Sequence, residues 1–298
     1  LEVAKNFKDA SGTLLAQHLT KVDPKVFQKL YPDNVFLNSG LSIDNTGGLA
    51  DTIKKVRVSA KGSFTDVSNR GGNKGLISLE GESDSIGVIG REATIEYTDD
   101  EIEKAKLGNY NLVEKLLGGV DEVYRQEIDE AIATGTSQNK GLLNYTGFVS
   151  DSASAITGLT GVQMYDAIAT LIVDQWNSVN NTNGYMADRV MLPTFVMNTL
   201  ASTKWKEDTS EKSVLTVLKE SFPSVQFLSS WRANKVGNVS VTACYSSNEN
   251  GILVRIPQPL VIGKTVSQGS FGYRADAKYR VAGIDVAENK ACRLLTGL

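Results

Sequence analysis

Residues 49–97 read LADTIKKVRVSAKGSFTDVSNRGGNKGLISLEGESDSIGVIGREATIEY, and their pattern decides the fold. Ile53, Val56, Val58 and Ala60 lead into Gly62-Ser63, and a polar tip runs from Asp66 to Gly75. The chain returns through Leu76 to Ile89 and alternates again at Ala93, Ile95 and Tyr97. Period-two alternation on both sides of a Gly/Asn/Ser-rich tip predicts a long two-stranded hairpin. Each leg of roughly 14 residues reaches ~45 Å at about 3.3 Å per residue. A compact chain of 298 residues has a radius of gyration of only ~19 Å. The hairpin therefore projects beyond its own domain. An isolated ribbon is marginal in water, so this one needs neighbours.

Upstream, the segment to about Asn45 reads as an arm. Thr13 to Thr20 predicts a short helix with Leu14, Leu15 and Leu19 on one side. Asp23-Pro24 starts a second, because proline suits a first helical turn. Its apolar residues are Val26, Phe27 and Leu30, and Tyr31-Pro32-Asp33 stops it. Two such helices make a poor core alone and are expected to dock elsewhere.

Downstream, Thr98-Asp99-Asp100-Glu101 is a capping box for a helix that ends at Gly108. Asn111 with Glu114 opens a longer helix to Thr134, ~36 Å at 1.5 Å per residue. Val113, Leu116, Leu117, Val120, Val123, Tyr124, Ile128, Ala131 and Ile132 keep a three-and-four rhythm along it. Gly118-Gly119 inside it costs about 1 kcal/mol per glycine relative to alanine, which predicts a bend or a close backbone contact. Gly141-Leu142-Leu143-Asn144 then begins a loop region.

A mixed section follows. A helix from about Thr160 to Val179 carries Met164, Ile168, Leu171, Ile172 and Trp176, and a strand from Arg189 to Leu192 ends at Pro193, which begins a helix to about Ser202. Ser213 to Phe222 is helical, Val225 to Leu228 extended, and Val239 to Tyr245 and Ile252 to Ile256 are strands. The segment from Phe271 to Leu295 alternates at Ala275, Ala277, Tyr279, Val281, Ile284 and Val286 and reads as strand returning to the early part of the fold.

Composition narrows the function. Hydrophobic residues make up 41% and charged residues 22%, which is ordinary for a folded protein. The net charge of −3 lacks the basic excess of a protein built to grip phosphate backbones. Cys244 and Cys292 have no CxxC partner, so reduced thiols are expected. No run approaches the ~18 apolar residues of a membrane span.

Chemistry is sparse. His18 is the single histidine, no Gly-x-Ser-x-Gly elbow exists, and one histidine with two distant cysteines does not meet zinc spacing. Asp99, Asp100, Glu101 and Glu103 read as negative charge at a helix N-terminus. Gly71-Gly72-Asn73-Lys74-Gly75 lacks the phosphate-loop pattern. Trp176, Trp205, Trp231, Tyr165 and Phe195 read as core aromatics. No catalytic, metal or cofactor-binding residue is expected, and no cofactor.

Three stretches carry a resemblance when taken in this order of parts. They are Val22-Asp23-Pro24-Lys25-Val26-Phe27-Gln28-Lys29-Leu30-Tyr31-Pro32, Gly141-Leu142-Leu143-Asn144, and Arg280-Val281-Ala282-Gly283-Ile284-Asp285-Val286. The chain resembles tailed-bacteriophage major capsid proteins of the HK97-like fold. The resemblance implies an α+β fold with an N-terminal arm (1–48) and an extended β-hairpin loop (49–97). It also implies a peripheral domain with the spine helix (98–149 and 262–298) and an axial domain (150–261) around five- and six-fold axes. The implied function is a structural subunit that self-assembles into the icosahedral head shell enclosing phage DNA, within the virion and assembled in the host cytoplasm.

Implied partners are many copies of itself in pentamers and hexamers, with scaffolding, portal and decoration proteins. Packaged DNA would lie nearby without specific binding, and no membrane is involved. Arg57, Arg70, Lys74, Arg91 and Glu92 are the expected charged contacts between subunits, and the arm is expected beneath an adjacent spine helix. Some relatives cross-link through Lys and Asn. Lys61, Lys74 and Asn73 offer that chemistry, though these are common surface residues. Three other readings compete. One is an encapsulin-type nanocompartment shell of the same fold. Another is a hydrolase whose 150–260 region is catalytic and whose hairpin dimerises. The last is a receptor-binding virion module, which is usually repetitive or β-rich.

Deleting Ala60 to Leu76 is expected to leave a folded subunit that forms no shells. Electron microscopy of the variant checks this, and normal shells would refute it.

Overall fold

The computed structural model describes residues 32–65, 76–180, 182, 184–206, 211–269 and 271–298. The expected arm helices, His18 and the hairpin tip from Asp66 to Gly75 lie outside the described residues. In chain order the elements begin with β1 (Ser42–Asp44), β2 (Thr52–Gly62), β3 (Ile77–Gly87) and β4 (Ile89–Thr98). Helices α1 (Asp99–Leu107) and α2 (Leu112–Ala133) follow, then β5 (Val149–Ser152) and α3 (Gly161–Ser178). Next come β6 (Arg189–Pro193), α4 (Thr194–Ser202), α5 (Val214–Ser221), β7 (Gln226–Ser230) and a 3-10 turn (Trp231–Asn234). Strands β8 (Val241–Tyr245), β9 (Ile252–Arg255), β10 (Gln258–Ile262), β11 (Val266–Gln268), β12 (Gly272–Val281), β13 (Gly283–Val286) and β14 (Cys292–Thr296) complete the chain.

Thr98 and Glu101 exchange both capping-box hydrogen bonds at α1, where the sequence places them, and Thr160 with Gln163 forms a second capping box at α3, where the sequence shows only a helix start. Asn111 Oδ1 accepts from the Glu114 amide at the start of α2. No described atom outside the helix lies within 4 Å of a Cβ built on Gly118 or Gly119, so nothing among the described residues requires glycine there.

The described residues form two compact units. One comprises 32–33, 94–120 and 263–276; the other comprises 34–93, 121–262 and 277–298. In the first, Tyr97 stacks on Tyr273 with ring centroids 5.4 Å apart, and the Asp99 amide donates to the Phe271 carbonyl. β11 pairs antiparallel with β12 there, from Val266↔Arg274 to Gln268↔Gly272.

The second unit is built on a five-stranded sheet of order β5-β14-β8-β6-β7. Its strands alternate between two cores. Met191, Ala243, Tyr245, Cys292 and Leu294 join Ile128 and Ile132 of α2 on one face. Val190, Leu192, Cys244 and Leu295 join Ile168, Leu171 and Ile172 of α3 on the other. Cys244 pairs with Arg293 and Cys292 with Tyr245 in the β8–β14 ladder, so the two thiols point to opposite faces. They are free, and burial pushes both thiols up.

Two elements differ from expectation. The hairpin legs are 11 residues each, because the return leg ends at Gly87 and the chain enters β4, which pairs with β12. The final segment is three strands in three sheets, not one. Gly283 breaks it at φ +91°, a conformation that L side chains rarely adopt. The short strands β1, β5, β10 and β11 carry too few residues to show a period in sequence.

The end of the arm is core. Phe36 is fully buried, and its amide and that of Leu37 donate to Asp129 Oδ1 at 2.6 and 3.1 Å. Arg232 Nε donates to Asp129 Oδ2 at 2.8 Å from the 3-10 turn after β7. Burial pushes the Asp129 carboxyl up, against the pull of these three donors. One buried carboxylate of α2 thus ties the arm end and the five-stranded sheet to the helix. Asp129→Ala strands Arg232 and two amides, so a loss of about 3–5 kcal/mol is expected, read as a lowered denaturation midpoint.

Candidate assembly interface

The hairpin is an amphipathic ribbon whose sidedness follows from its register. β2 and β3 pair antiparallel from Thr52↔Gly87 to Gly62↔Ile77 without a slip. Side chains alternate across a ribbon, and cross-strand partners share a face. Lys55, Arg57, Ser59 and Lys61 therefore lie with Asp84, Glu82, Glu80 and Ser78 on one face. This face neutralises itself: Lys55 Nζ stands 3.7 Å from Asp84, and Lys61 pairs with Glu80.

The base of that charged face is clamped to its own subunit. Lys55 Nζ donates to Asp285 Oδ1 and, at 2.8 Å, to the Val286 carbonyl. Arg57 donates to the same carbonyl at 2.5 Å. Asp285, with a side chain only 5% exposed, also accepts from Arg255 Nε at 3.2 Å, and Arg255 pairs in turn with Asp44. Asn139 Nδ2 donates to the Gly87 and Ala282 carbonyls at 2.7 and 2.8 Å, and Ile86, Val88 and Ala282 close a small apolar cluster. The hairpin root is held by buried charge and packing together.

Among the described residues the opposite face has no such partner. Val56, Val58, Ile77 and Leu79 are 66%, 63%, 54% and 74% exposed, with Ala60 between them. Phe64 and Leu76, just past the ladder, are exposed as well. A continuous apolar stripe of this kind marks an interaction surface.

Residues 75–298 match the family model of the major capsid protein. The chain belongs to the major capsid protein family. It is also similar to the capsid protein in "The capsid of Myoviridae Phage XM1", at 37% identity over 95% of this chain and 98% of that one, with TM-score 0.85. A "Capsid of native GTA particle" chain is similar at 12% identity over 92% and 95%, TM-score 0.70, and one from Mycobacterium phage Ogopogo at 11% over 93% and 96%, TM-score 0.62. These last two show the fold alone. No curated protein matches the sequence.

This major capsid protein has the HK97-like fold and is a structural protein of an icosahedral phage head shell, built from many copies in the virion. Among the described residues no three His, Cys, Asp or Glu gather as a metal-ligand set, and no helix is long and apolar enough to cross a membrane.

The expected charged contacts are dispersed. Arg57 is engaged at the hairpin root, with its Nε buried and without a hydrogen-bond partner. Arg91 pairs with Glu127 at 3.1 Å, beside Tyr279, whose hydroxyl bonds the same carboxylate. Glu92 lies on a polar recess with Leu49, Lys278 and Arg280. Arg70, Lys74 and Asn73 lie outside the described residues. Sequence reading passed over Lys55, Asp285 and Arg255. The odd-numbered Lys55, Arg57 and Lys61 against Glu80, Glu82 and Asp84 was a signal, but only with the register known.

Asp285→Ala leaves Lys55 and Arg255 without their shared counter-charge. Faster hydrogen exchange is expected at β2 and β3 amides, with β8 and β14 amides unchanged; mass spectrometry of exchanged peptides checks this.

Proposed function

We propose that each copy clasps a neighbouring copy with the outward, apolar face of its hairpin, and that repetition of this contact closes the shell. The observation that carries this reading is the exposed stripe of Val56, Val58, Ile77 and Leu79 opposite a face already clamped at Lys55 and Arg57. Each leg of 11 residues spans about 36 Å at roughly 3.3 Å per residue, enough to cross onto another subunit. Burying each of those four side chains contributes about 1.5 kcal/mol or more. Many such contacts add through multivalency.

In this reading residues 1–48 are the arm and 49–97 the extended loop. Residues 98–149 with 262–298 are the peripheral domain, and 150–261 the axial domain of pentamers and hexamers. The arm lies beneath an adjacent spine helix. Arg91, Glu92, Arg70 and Lys74 set register between subunits more than they set affinity, while Arg57 supports the root. The shell encloses DNA without specific binding, consistent with a net charge of −3. Scaffolding, portal and decoration proteins are the further partners, and assembly takes place in the host cytoplasm. The subunit acts by assembly and not by catalysis.

Val58→Asp and Leu79→Asp each place a charge on the stripe without touching the root. Both are expected to abolish shells in electron micrographs while leaving the monomer's thermal midpoint unchanged. Shells at normal yield would exclude the hairpin stripe as the clasp.

A further inference from the structure

The five-stranded sheet ends in two edge strands, β5 and β7. β5 and β14 run parallel, both β14 and β6 run antiparallel to β8, and β6 runs parallel to β7. The edge strands β5 and β7 therefore point the same way, and their C-terminal ends lie at the same end of the sheet.

At the β5 edge, the strand and α3 enclose a groove of about 400 Å³. Ala153, Leu159 and Leu295 contribute its apolar lining, and Asp151, Asp166 and Asp174 its carboxylates. Arg293 bonds Asp151 at 2.6 Å and stands 3.3 Å from Asp174. Asp166 is exposed and has no ion-pair partner among the described residues.

Beyond the C-terminal end of β7, where the chain crosses over toward β8, Ser230 runs straight into Trp231, which is 47% exposed although it is a large aromatic, with the Arg232 guanidinium 4.7 Å over its ring. Asn234 of the same 3-10 turn accepts from the Thr194 amide at 2.7 Å, which holds the turn against the start of α4. Lys235 follows the turn, exposed and without an ion-pair partner among the described residues. One edge thus carries an apolar groove beside an uncompensated carboxylate. The turn beyond the C-terminal end of β7 carries an aromatic knob beside an uncompensated cation.

We propose that the Trp231 knob of one copy seats in the β5–α3 groove of the next, with Lys235 facing Asp166. This rests on the reading of the chain as a shell subunit and specifies which surfaces join copies within a ring. A head-to-tail contact between two different surfaces closes into a ring when rotation alone relates the copies. Because knob and groove lie at the same end of strands that share a direction, a rotation about an axis along the strands relates them without a climb along that axis. The occupant is a second copy because Asp166 at the groove and Lys235 after the knob are opposite charges without ion-pair partners among the described residues of one chain, and the chain's family builds shells of many copies. Central aromatic anchors in pockets dominate interfaces of this kind.

Charge exchange tests the pair in the full-length protein. Asp166→Lys and Lys235→Asp are each expected to raise the concentration needed for shell formation by about tenfold, and the double exchange restores it. Separately, Asp166→Cys with Lys235→Cys, treated with a short bismaleimide on assembled shells, is expected to give a ladder on denaturing gels that ends at the pentamer and hexamer. Cys244 and Cys292 are buried and give little background. Shells of normal yield from both single exchanges, or a cross-link that mass spectrometry places within one chain, would overturn the knob-and-groove contact alone. A wild-type chain that stays monomeric at every concentration would overturn the shell reading along with it.

Discussion

A two-stranded ribbon has two faces and no layer above or below to cover them. Here one face is committed: its charges cancel across the strands, and its base is drawn onto Asp285, a carboxylate buried with two cations around it. Burying such a charge is tolerable only because both partners arrive together, and removing one leaves the others uncompensated in a poor dielectric. The clamp therefore orients the ribbon firmly. It leaves the apolar face turned away from the subunit's own core, where water contact is unfavourable. In the proposed clasp, assembly is the physical resolution of that arrangement.

The rest of the larger unit serves to hold this geometry. The five-stranded sheet separates two cores, so α2 and α3 are each fixed on their own side of it. Asp129 joins α2 to the arm end and to the turn after β7, so the residues around Phe36 are part of the body and not a loose tether. Stiffness of this sort matters for a shell subunit. Contacts repeated many times add only if each copy presents them in the same orientation.

Electrostatics plays a restrained part. Lys61–Glu80 on the ribbon and Arg125–Asp121 on α2 are exposed pairs that contribute little stability. The informative charges are the buried ones at the root and at Asp129, together with Asp166 and Lys235, which have no ion-pair partner among the described residues. The sequence reading favoured charged residues as the contacts because charge is conspicuous in a string of letters. The structure turns Arg57 and Arg91 toward groups of their own subunit and leaves valine, isoleucine and leucine facing out.

Sequence alone determined the local features: the capped start of α1 at Thr98, the start of α3 near Thr160, the apolar rhythm of α2, and the alternating legs of the hairpin. Each rests on residues two to four positions apart, and backbone geometry converts such spacings directly into helices and strands. Tertiary structure decided what those elements were for. The stretch after Phe271 alternates throughout, yet Gly283 and the 3-10 turn at Asn289–Ala291 divide it among three sheets. The parity of the hairpin, with Lys55 inward and Val56 outward, was settled at Asp285, more than two hundred residues along the chain. Alternation carries no label for which face is buried; only a distant partner supplies one.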